Sequence, residues 1–443
     1  MPASRRFFVM GAVAAPASAA TLKPFSVRTS SRVLGANDRI GMAVIGLGAN
    51  GSGMLRNLLA RARDKGDIQV VAVSDIYTKR KERARAAAGL EEKSVHHDYR
   101  DLLTRSDIDG VVISTPDHWH AQMAIDAMAA GKDVYLQKPM TLTIDEARQV
   151  ALASSKFKRV LQVGSQHLSD PRYRKARELI QAGEIGALLW AQATYSRNSI
   201  DGEWNYYVDE EGTPANIDWT RWLGSAPKRP FSADRYFRWR KYWDYSGGIA
   251  TDLFYHRLGP LLFAMGPGFP SRVSATGGIY VQKDREVPDT YATLIEYPGF
   301  FINLSASMAN AAPNRHFPEV IYGQRGTLTF ARDSVVITSE PAFDRKVEES
   351  RRGVRTFPTE PVDLVPAHLA DLFDAMRSRR QPVLNPEFGC QIMTAIRLGV
   401  DSYRDGRLRH FDARTQRVTE RAPARPGYEG DGRNRPDGRK ARA

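Results

Sequence analysis

Cysteine is almost missing from this chain: Cys390 stands alone among 443 residues. A single thiol excludes a disulfide within the chain and a cysteine-rich metal site. Long apolar runs are also missing; none is long enough to span a bilayer, which argues against stable membrane insertion. There is no zinc-finger spacing and no RNA-recognition signature, so the formal net charge of +14 does not point to nucleic acid. Its distribution explains it better. Residues 1–23 carry +3 and residues 421–443 carry +4, so half of the excess lies at the two ends. What remains is a mildly basic globular body, and its length exceeds what one hydrophobic core ordinarily serves, which predicts two domains.

Absence of disulfides suggests a reducing compartment, but the N-terminus points elsewhere. Arg5-Arg6 precedes an apolar stretch from Phe7 to about Ala15, followed by Ala17-Ser18-Ala19. That is a charged region, a short apolar region and a small-residue cleavage site. The arginine pair favours export in the folded state by the twin-arginine (Tat) machinery, and hence a periplasmic or otherwise exported protein.

Short β-branched runs alternate with helical spacing from residue 38 to 163: Ile40–Ile45, Ile68–Val73, Gly110–Ile113, Asp133–Leu136 and Val160–Val163 are strand-like, with helices between them. This rhythm predicts an α/β domain with a doubly wound parallel sheet. Residues 1–37 are expected to be signal peptide and linker. From 164 to 412 longer alternating stretches such as Leu188–Arg197, Thr290–Tyr297 and Phe300–Met308 predict an α+β domain with a large, mostly antiparallel sheet. Trp204 to Trp243 is rich in aromatics, proline and arginine and is expected to form long loops. Residues 413–443 are expected to be a disordered basic tail.

Gly46-Leu47-Gly48-Ala49-Asn50-Gly51 ends the first expected strand and opens the first helix. Gly46 permits a tight turn, Gly48 lets backbone approach a pyrophosphate, and Gly51 allows close helix–strand packing. The helix start offers free N–H groups to phosphates. Asp75 closes the second strand where an acid grips a ribose 2′-hydroxyl. A carboxylate there favours NAD over NADP; Lys79 and Arg80, just beyond, could offset its charge and keep NADP possible.

Three more segments follow: Ser114-Thr115-Pro116-Asp117-His118-Trp119-His120, Gln137-Lys138-Pro139, and Gly247-Gly248 running on to Asp252 and His256. With the glycine loop they resemble the Gfo/Idh/MocA oxidoreductases, over about residues 38–410. The resemblance implies an NAD(P)-dependent enzyme, a Rossmann fold, and a sugar or polyol substrate. It implies that Thr115 and Pro116 wall the nicotinamide, that Gln137 and Lys138 lie beside the cofactor, and that Lys138, Asp252 and His256 are catalytic.

Residues four apart share a helix face, so Asp252 is expected to orient the imidazole of His256, the first-ranked base, with Lys138 second. Gln137 stands where the family usually has Glu; without that charge Lys138 should deprotonate more easily. His120, at a strand's C-terminal end, is a further cofactor contact, with His118 a weaker one. Gln166, Arg197, Trp239 and Tyr255 are candidate sugar contacts, since aromatic faces stack on sugar rings and guanidinium groups bind hydroxyls. His96-His97 has no third ligand nearby, and no metal is expected.

An exported enzyme cannot draw on a nicotinamide pool, so its cofactor is expected to be non-dissociating. A trapped cofactor must be reset in each cycle, which leaves three readings open. They are an oxidoreductase, a glycoside hydrolase or epimerase using transient oxidation, and a non-catalytic sugar-binding module. A homo-oligomer is expected.

Overall fold

A computed structural model describes residues 21–25, 38–346 and 348–421. The twin-arginine segment, most of the linker and residues 422–443 lie outside the described residues. The first domain runs β1 (Ile40–Ile45), α1 (Ala49–Lys65), β2 (Ile68–Ser74), α2 (Thr78–Ala88), β3 (Val95–His96), α3 (Tyr99–Leu103), β4 (Gly110–Ile113), α4 (Asp117–Ala129), β5 (Asp133–Gln137), α5 (Ile144–Phe157) and β6 (Leu161–Gly164). Its six strands pair in parallel in the order β3-β2-β1-β4-β5-β6. Every residue of β1, β4, β5 and β6 is buried, which is why β1 and β4 read as unbroken apolar runs. The strand order reverses beside β1, so β1 and β4 open a crevice at their C-terminal ends.

The second domain continues with α6 (Pro171–Gln181), β7 (Leu188–Thr194), α7 (Trp219–Leu223), α8 (Ala233–Phe237), α9 (Ile249–Asp252), α10 (Tyr255–Met265), β8 (Arg272–Gly278), β9 (Thr290–Glu296) and β10 (Phe301–Ser307). After these come α11 (Pro313–His316), β11 (Val320–Gly323), β12 (Gly326–Phe330), β13 (Ser334–Ser339), β14 (Val354–Pro358), α12 (Leu364–Ser378), α13 (Pro386–Asp405), β15 (Arg409–Asp412) and β16 (Arg417–Thr419). Ten strands form one sheet, ordered β14-β13-β12-β11-β7-β10-β9-β8-β15-β16. It is antiparallel except where β7 and β10 pair in parallel. Buried and exposed positions alternate along β9 and β10, as a sheet with one covered face requires.

Two expectations change, and one feature is added. Late in the chain, α12 brings Leu369, Leu372, Phe373 and Met376 back against Ile40, Met42 and Val44 of the first sheet. The tail expected from 413 is ordered at its start, because β16 adds to β15 as an edge strand. And the 204–245 segment is not merely loop. It carries α7 and α8 and buries Tyr77 with Ile217, Trp219, Trp222, Tyr236 and Tyr245 in a third apolar cluster. Burial of these large aromatic side chains outweighs the turn-forming composition that argued for loops.

Candidate functional site

The glycine loop lies between β1 and α1. Gly46 has φ +86°, and a Cβ added at Gly51 would stand 1.8 Å from the Gly46 carbonyl oxygen. Both positions therefore require glycine. Gly48 caps α1 with no side chain bonded to its N-terminus, and a Cβ there would meet only the Arg80 guanidinium, 3.5 Å away. This leaves bare helix N–H groups facing open space. A cavity of about 480 Å³ begins here, lined by Gly46, Gly48, Ala49 and Asn50. Asp75 also lines it, its carboxylate accepting from Leu47 N (2.6 Å) and Tyr77 N (2.8 Å). The donors, glycines and acid fit a dinucleotide whose pyrophosphate meets the helix N-terminus and whose ribose meets Asp75. Lys79 points away, paired with Asp209 and Glu211 at 2.9 Å. Arg80 lines the cavity, its Nη1 donating to Tyr236 Oη at 3.0 Å.

At the far end the cavity is walled by Thr115, Pro116, Asp117, Gln137 and Lys138 from the first domain and by Tyr206, Trp239 and Arg240 from the second. Lys138 Nζ donates to Asp252 Oδ1 at 2.8 Å and to the Asp252 carbonyl at 2.7 Å. Arg240 Nε donates to the same Oδ1 at 3.0 Å. The three side chains are between 9% and 23% exposed, so these are partly desolvated charges whose separation would be costly. Burial alone would push the Asp252 carboxyl up, but the two cations overcome that and hold it well below the usual carboxylate range.

The expected Asp252–His256 pair is not formed. A break at Leu253 and Phe254 separates α9 from α10, so the four-residue spacing does not run along one helix. His256 Nδ1 instead meets Ser165 Oγ at 3.3 Å and His167 Nδ1 at 3.2 Å. Burial, reinforced by the Lys138 charge, holds His256 well below the ordinary histidine range, so it is neutral. It feels the Lys138 charge but is not among the cavity-lining residues. Gln137 contributes no charge, yet Lys138 has its carboxylate partner after all, supplied by Asp252 across the domain boundary. The expectation of a lysine without an acid beside it is therefore corrected.

His120 is also a correction. Its ring lies between the Pro139 carbonyl (Nδ1, 2.7 Å) and the Thr115 carbonyl (Nε2, 2.9 Å), is 1% exposed, and is lowered by burial to about 4. It braces the two loops that carry Thr115 and Lys138. His118 Nε2 meets the Trp222 carbonyl at 3.0 Å and so joins α4 to α7. Tyr255 is fully buried, its hydroxyl donating to the Gly389 carbonyl at 3.1 Å; it is a core residue, not a sugar contact. Gln166 is half-buried in a short turn outside the cavity lining. Arg197 stacks on Tyr195 (5.0 Å) and lies 4.0 Å from Glu203. Of the four sugar-contact candidates, Trp239 lines the cavity, with Arg240 4.3 Å over its ring.

Sequence reasoning missed the 204–245 segment as a wall. It is fastened to the first domain beside the cofactor crevice. Thr78 N donates to the Asn216 carbonyl (3.1 Å) and Asp218 N to the Ile76 carbonyl (3.2 Å). Tyr77 Oη donates to Asp209 (3.0 Å), Arg221 pairs with Asp98 (3.3 Å), and Trp119 Nε1 donates to the Trp222 carbonyl (2.7 Å). No sequence motif signals such docking, because each partner is distant in the chain. Among the described residues no helix is long and apolar enough to cross a membrane.

Comparisons with known proteins agree with this layout. Residues 40–165 match the oxidoreductase family domain described as an NAD-binding Rossmann fold. Residues 177–409 match that family's C-terminal alpha/beta domain. The inositol 2-dehydrogenase of Klebsiella pneumoniae subsp. pneumoniae is 33% identical over 188 residues, 41% of this chain and 53% of the relative. That of Rubrobacter xylanophilus is 30% identical over 197 residues, 43% and 53%. The chain thus spans about half the length of the curated relatives it matches. In fold it resembles a levoglucosan dehydrogenase solved with NADH and levoglucosan, at TM-score 0.64 and 20% identity over 84% of this chain and 99% of that one. It also resembles the WlbA dehydrogenase of Bordetella pertussis solved with NADH and UDP-GlcNAcA, at TM-score 0.62 and 17% identity over 85% and 99%.

Proposed function

Because the chain belongs to the Gfo/Idh/MocA oxidoreductase family, whose NAD-binding domain it carries, we propose that it moves hydride between a retained NAD and a sugar or sugar-like polyol. One observation carries this reading. The Lys138–Asp252–Arg240 cluster faces the same cavity that begins at the glycine loop and Asp75. Bound NAD supplies the hydride acceptor. The chain's own residues bind and orient the alcohol. Lys138 donates a hydrogen bond to the reacting oxygen, Asp252, itself held by Arg240, fixes the Lys138 ammonium, and Trp239 with Tyr206 offers ring faces to the sugar. His256, held neutral by burial and the nearby Lys138 charge, takes up the hydroxyl proton.

The fastened 204–245 segment supports retention, since Tyr236 and Phe237 line the same cavity as the ribose-binding acid. Retention also suits export by the twin-arginine route, which carries folded, loaded protein. Tyr236→Ala removes a hydrogen bond and a cation–π contact at Arg80, together worth about 1–2 kcal/mol. Release of NADH, followed by its fluorescence, should then quicken about tenfold; an unchanged rate would refute the retaining role. Stacked Trp190, Tyr322 and Phe301 on the ten-stranded sheet support association with a second copy, measurable as mass in solution.

Mass spectrometry of nucleotide released from denatured protein, followed by a panel of sugars and aryl glycosides, tests the whole. Sugar-dependent reduction of bound NAD supports the dehydrogenase. Glycoside cleavage without net reduction would instead establish the glycosidase. Protein that is folded, nucleotide-free and unable to bind NAD would exclude both. The intact charged cluster disfavours a purely binding module. Replacing Arg5 and Arg6 with lysine should hold a reporter fusion in the cytoplasm, and equal export would refute the route.

A further inference from the structure

Three buried acids lie in or against the cavity walls, Asp75 at its ribose end and Asp117 and Asp252 at its reaction end, and one is unlike the others. Asp75 has two backbone N–H donors and Asp252 has two cations. Asp117, in the first turn of α4, is 2% exposed and lines the cavity. Its partners are hydroxyls: Thr251 Oγ1 lies 3.4 Å from its Oδ2, and Ser246 is the other. The charged groups that face it are Arg240, Asp252 and Lys138. The histidines of its own helix, His118 and His120, are buried and neutral. Two acids and two cations thus share one buried space, and Asp252 already holds both cations.

We propose that Asp117 is a positioning residue that sets the net charge of the reaction site. With its proton on, Lys138 and Arg240 outweigh Asp252 by one positive charge; with its proton off, the four side chains sum to zero. A net positive charge favours the oxygen that becomes negative as a hydroxyl loses its proton, so the ionised form of Asp117 is the slow form. Burial, opposed in part by Arg240, pushes the Asp117 carboxyl up to about 8, which places the switch within reach of ordinary pH. The proposal rests on the oxidoreductase reading for its consequence, but its first test does not.

That test is 13C NMR of Asp-labelled protein with its bound nucleotide. One carboxyl should titrate near 8 and be missing from Asp117→Asn; if every carboxyl titrates in the ordinary range, the proposal is overturned. The second test is single-turnover reduction of bound NAD by a sugar substrate. The wild-type rate should fall about tenfold per pH unit on the alkaline side, and the ratio of rates at about pH 7 and about pH 9 should flatten in Asp117→Asn. An alkaline limb unchanged in the variant would overturn the proposal. Should Asp117→Asn fail to fold, Thr251→Val removes a hydroxyl that favours the carboxylate and should raise the same midpoint; an unmoved midpoint is again fatal. A titration near 8 in protein that oxidises no sugar would refute the functional reading and leave Asp117 as assigned.

Discussion

The two ends of the cavity are built in opposite ways. The ribose and pyrophosphate end comes from one continuous stretch, Gly46 to Asp75, where each residue's role follows from backbone geometry. The reaction end is assembled from Asp117, Lys138, Arg240 and Asp252, drawn from both domains, with Lys138 and Asp252 114 positions apart. The first end binds by shape and N–H direction. The second works by balancing buried charges, and an error there costs activity before it costs the fold. A local motif can specify a cofactor site alone, whereas a charge cluster exists only after two domains have docked.

That contrast can be broken from either side. The largest effect is expected at the reaction end. Lys138→Met removes the donor and leaves Asp252 with Arg240 alone, so single-turnover hydride transfer should fall on the order of 10² to 10⁴-fold while NADH still binds. His256→Ala, which removes the proposed proton acceptor, should fall within the same range but less than Lys138→Met, which also takes away the Asp252 ion pair. If His256→Ala is the more severe of the two, His256 rather than Lys138 dominates the chemistry.

At the other end, Gly51→Ala forces a Cβ to 1.8 Å from the Gly46 carbonyl and must open the turn. NAD affinity should weaken about a hundredfold, on the order of 3 kcal/mol, as measured by fluorescence titration. Near-native affinity would show that the loop can move aside and that the phosphate site is less rigid than its geometry implies.

The smallest effect sharpens the comparison through stability. The folded chain holds the Asp117 proton up to about 8, while the unfolded chain releases it in the ordinary carboxylate range. The folded state therefore binds more protons between those values, and this group makes the wild type lose stability as pH rises through them. Asp117→Asn should escape that loss, gaining on the order of 1–3 kcal/mol over the wild type between about pH 5 and about pH 8 in denaturant melts. A difference independent of pH would remove the buried-proton account.

Much of the cofactor end was legible in the sequence. The central strands of the first sheet are buried on both faces, so apolar runs announced them, and the glycine loop stood between the right strand and the right helix. Lys138 and Asp252 were legible as residues through the family resemblance, but their partners were not. Four-residue spacing suggested an Asp252–His256 pair, and a break of two residues undid it. His120 sat at a strand end where ligands bind, yet two carbonyls claimed its ring. Asp117 followed Pro116 at a helix start, where an acid ordinarily does no more than complement the helix dipole. Nothing local could show that the helix end would be buried against Arg240.

The sequence by itself determined five of the six strands of the first domain, its phosphate-binding turn and the acid at the end of β2, because these depend on periodicity, φ and backbone N–H groups within a few residues; β3 and α3, two and five residues long, are too short to carry such a signal. Only the tertiary structure decided that α12 completes the first core, that the 204–245 segment walls the crevice, and which charges meet Lys138. Those outcomes depend on burial and on Coulomb contacts between distant residues, and both exist only once the domains have packed.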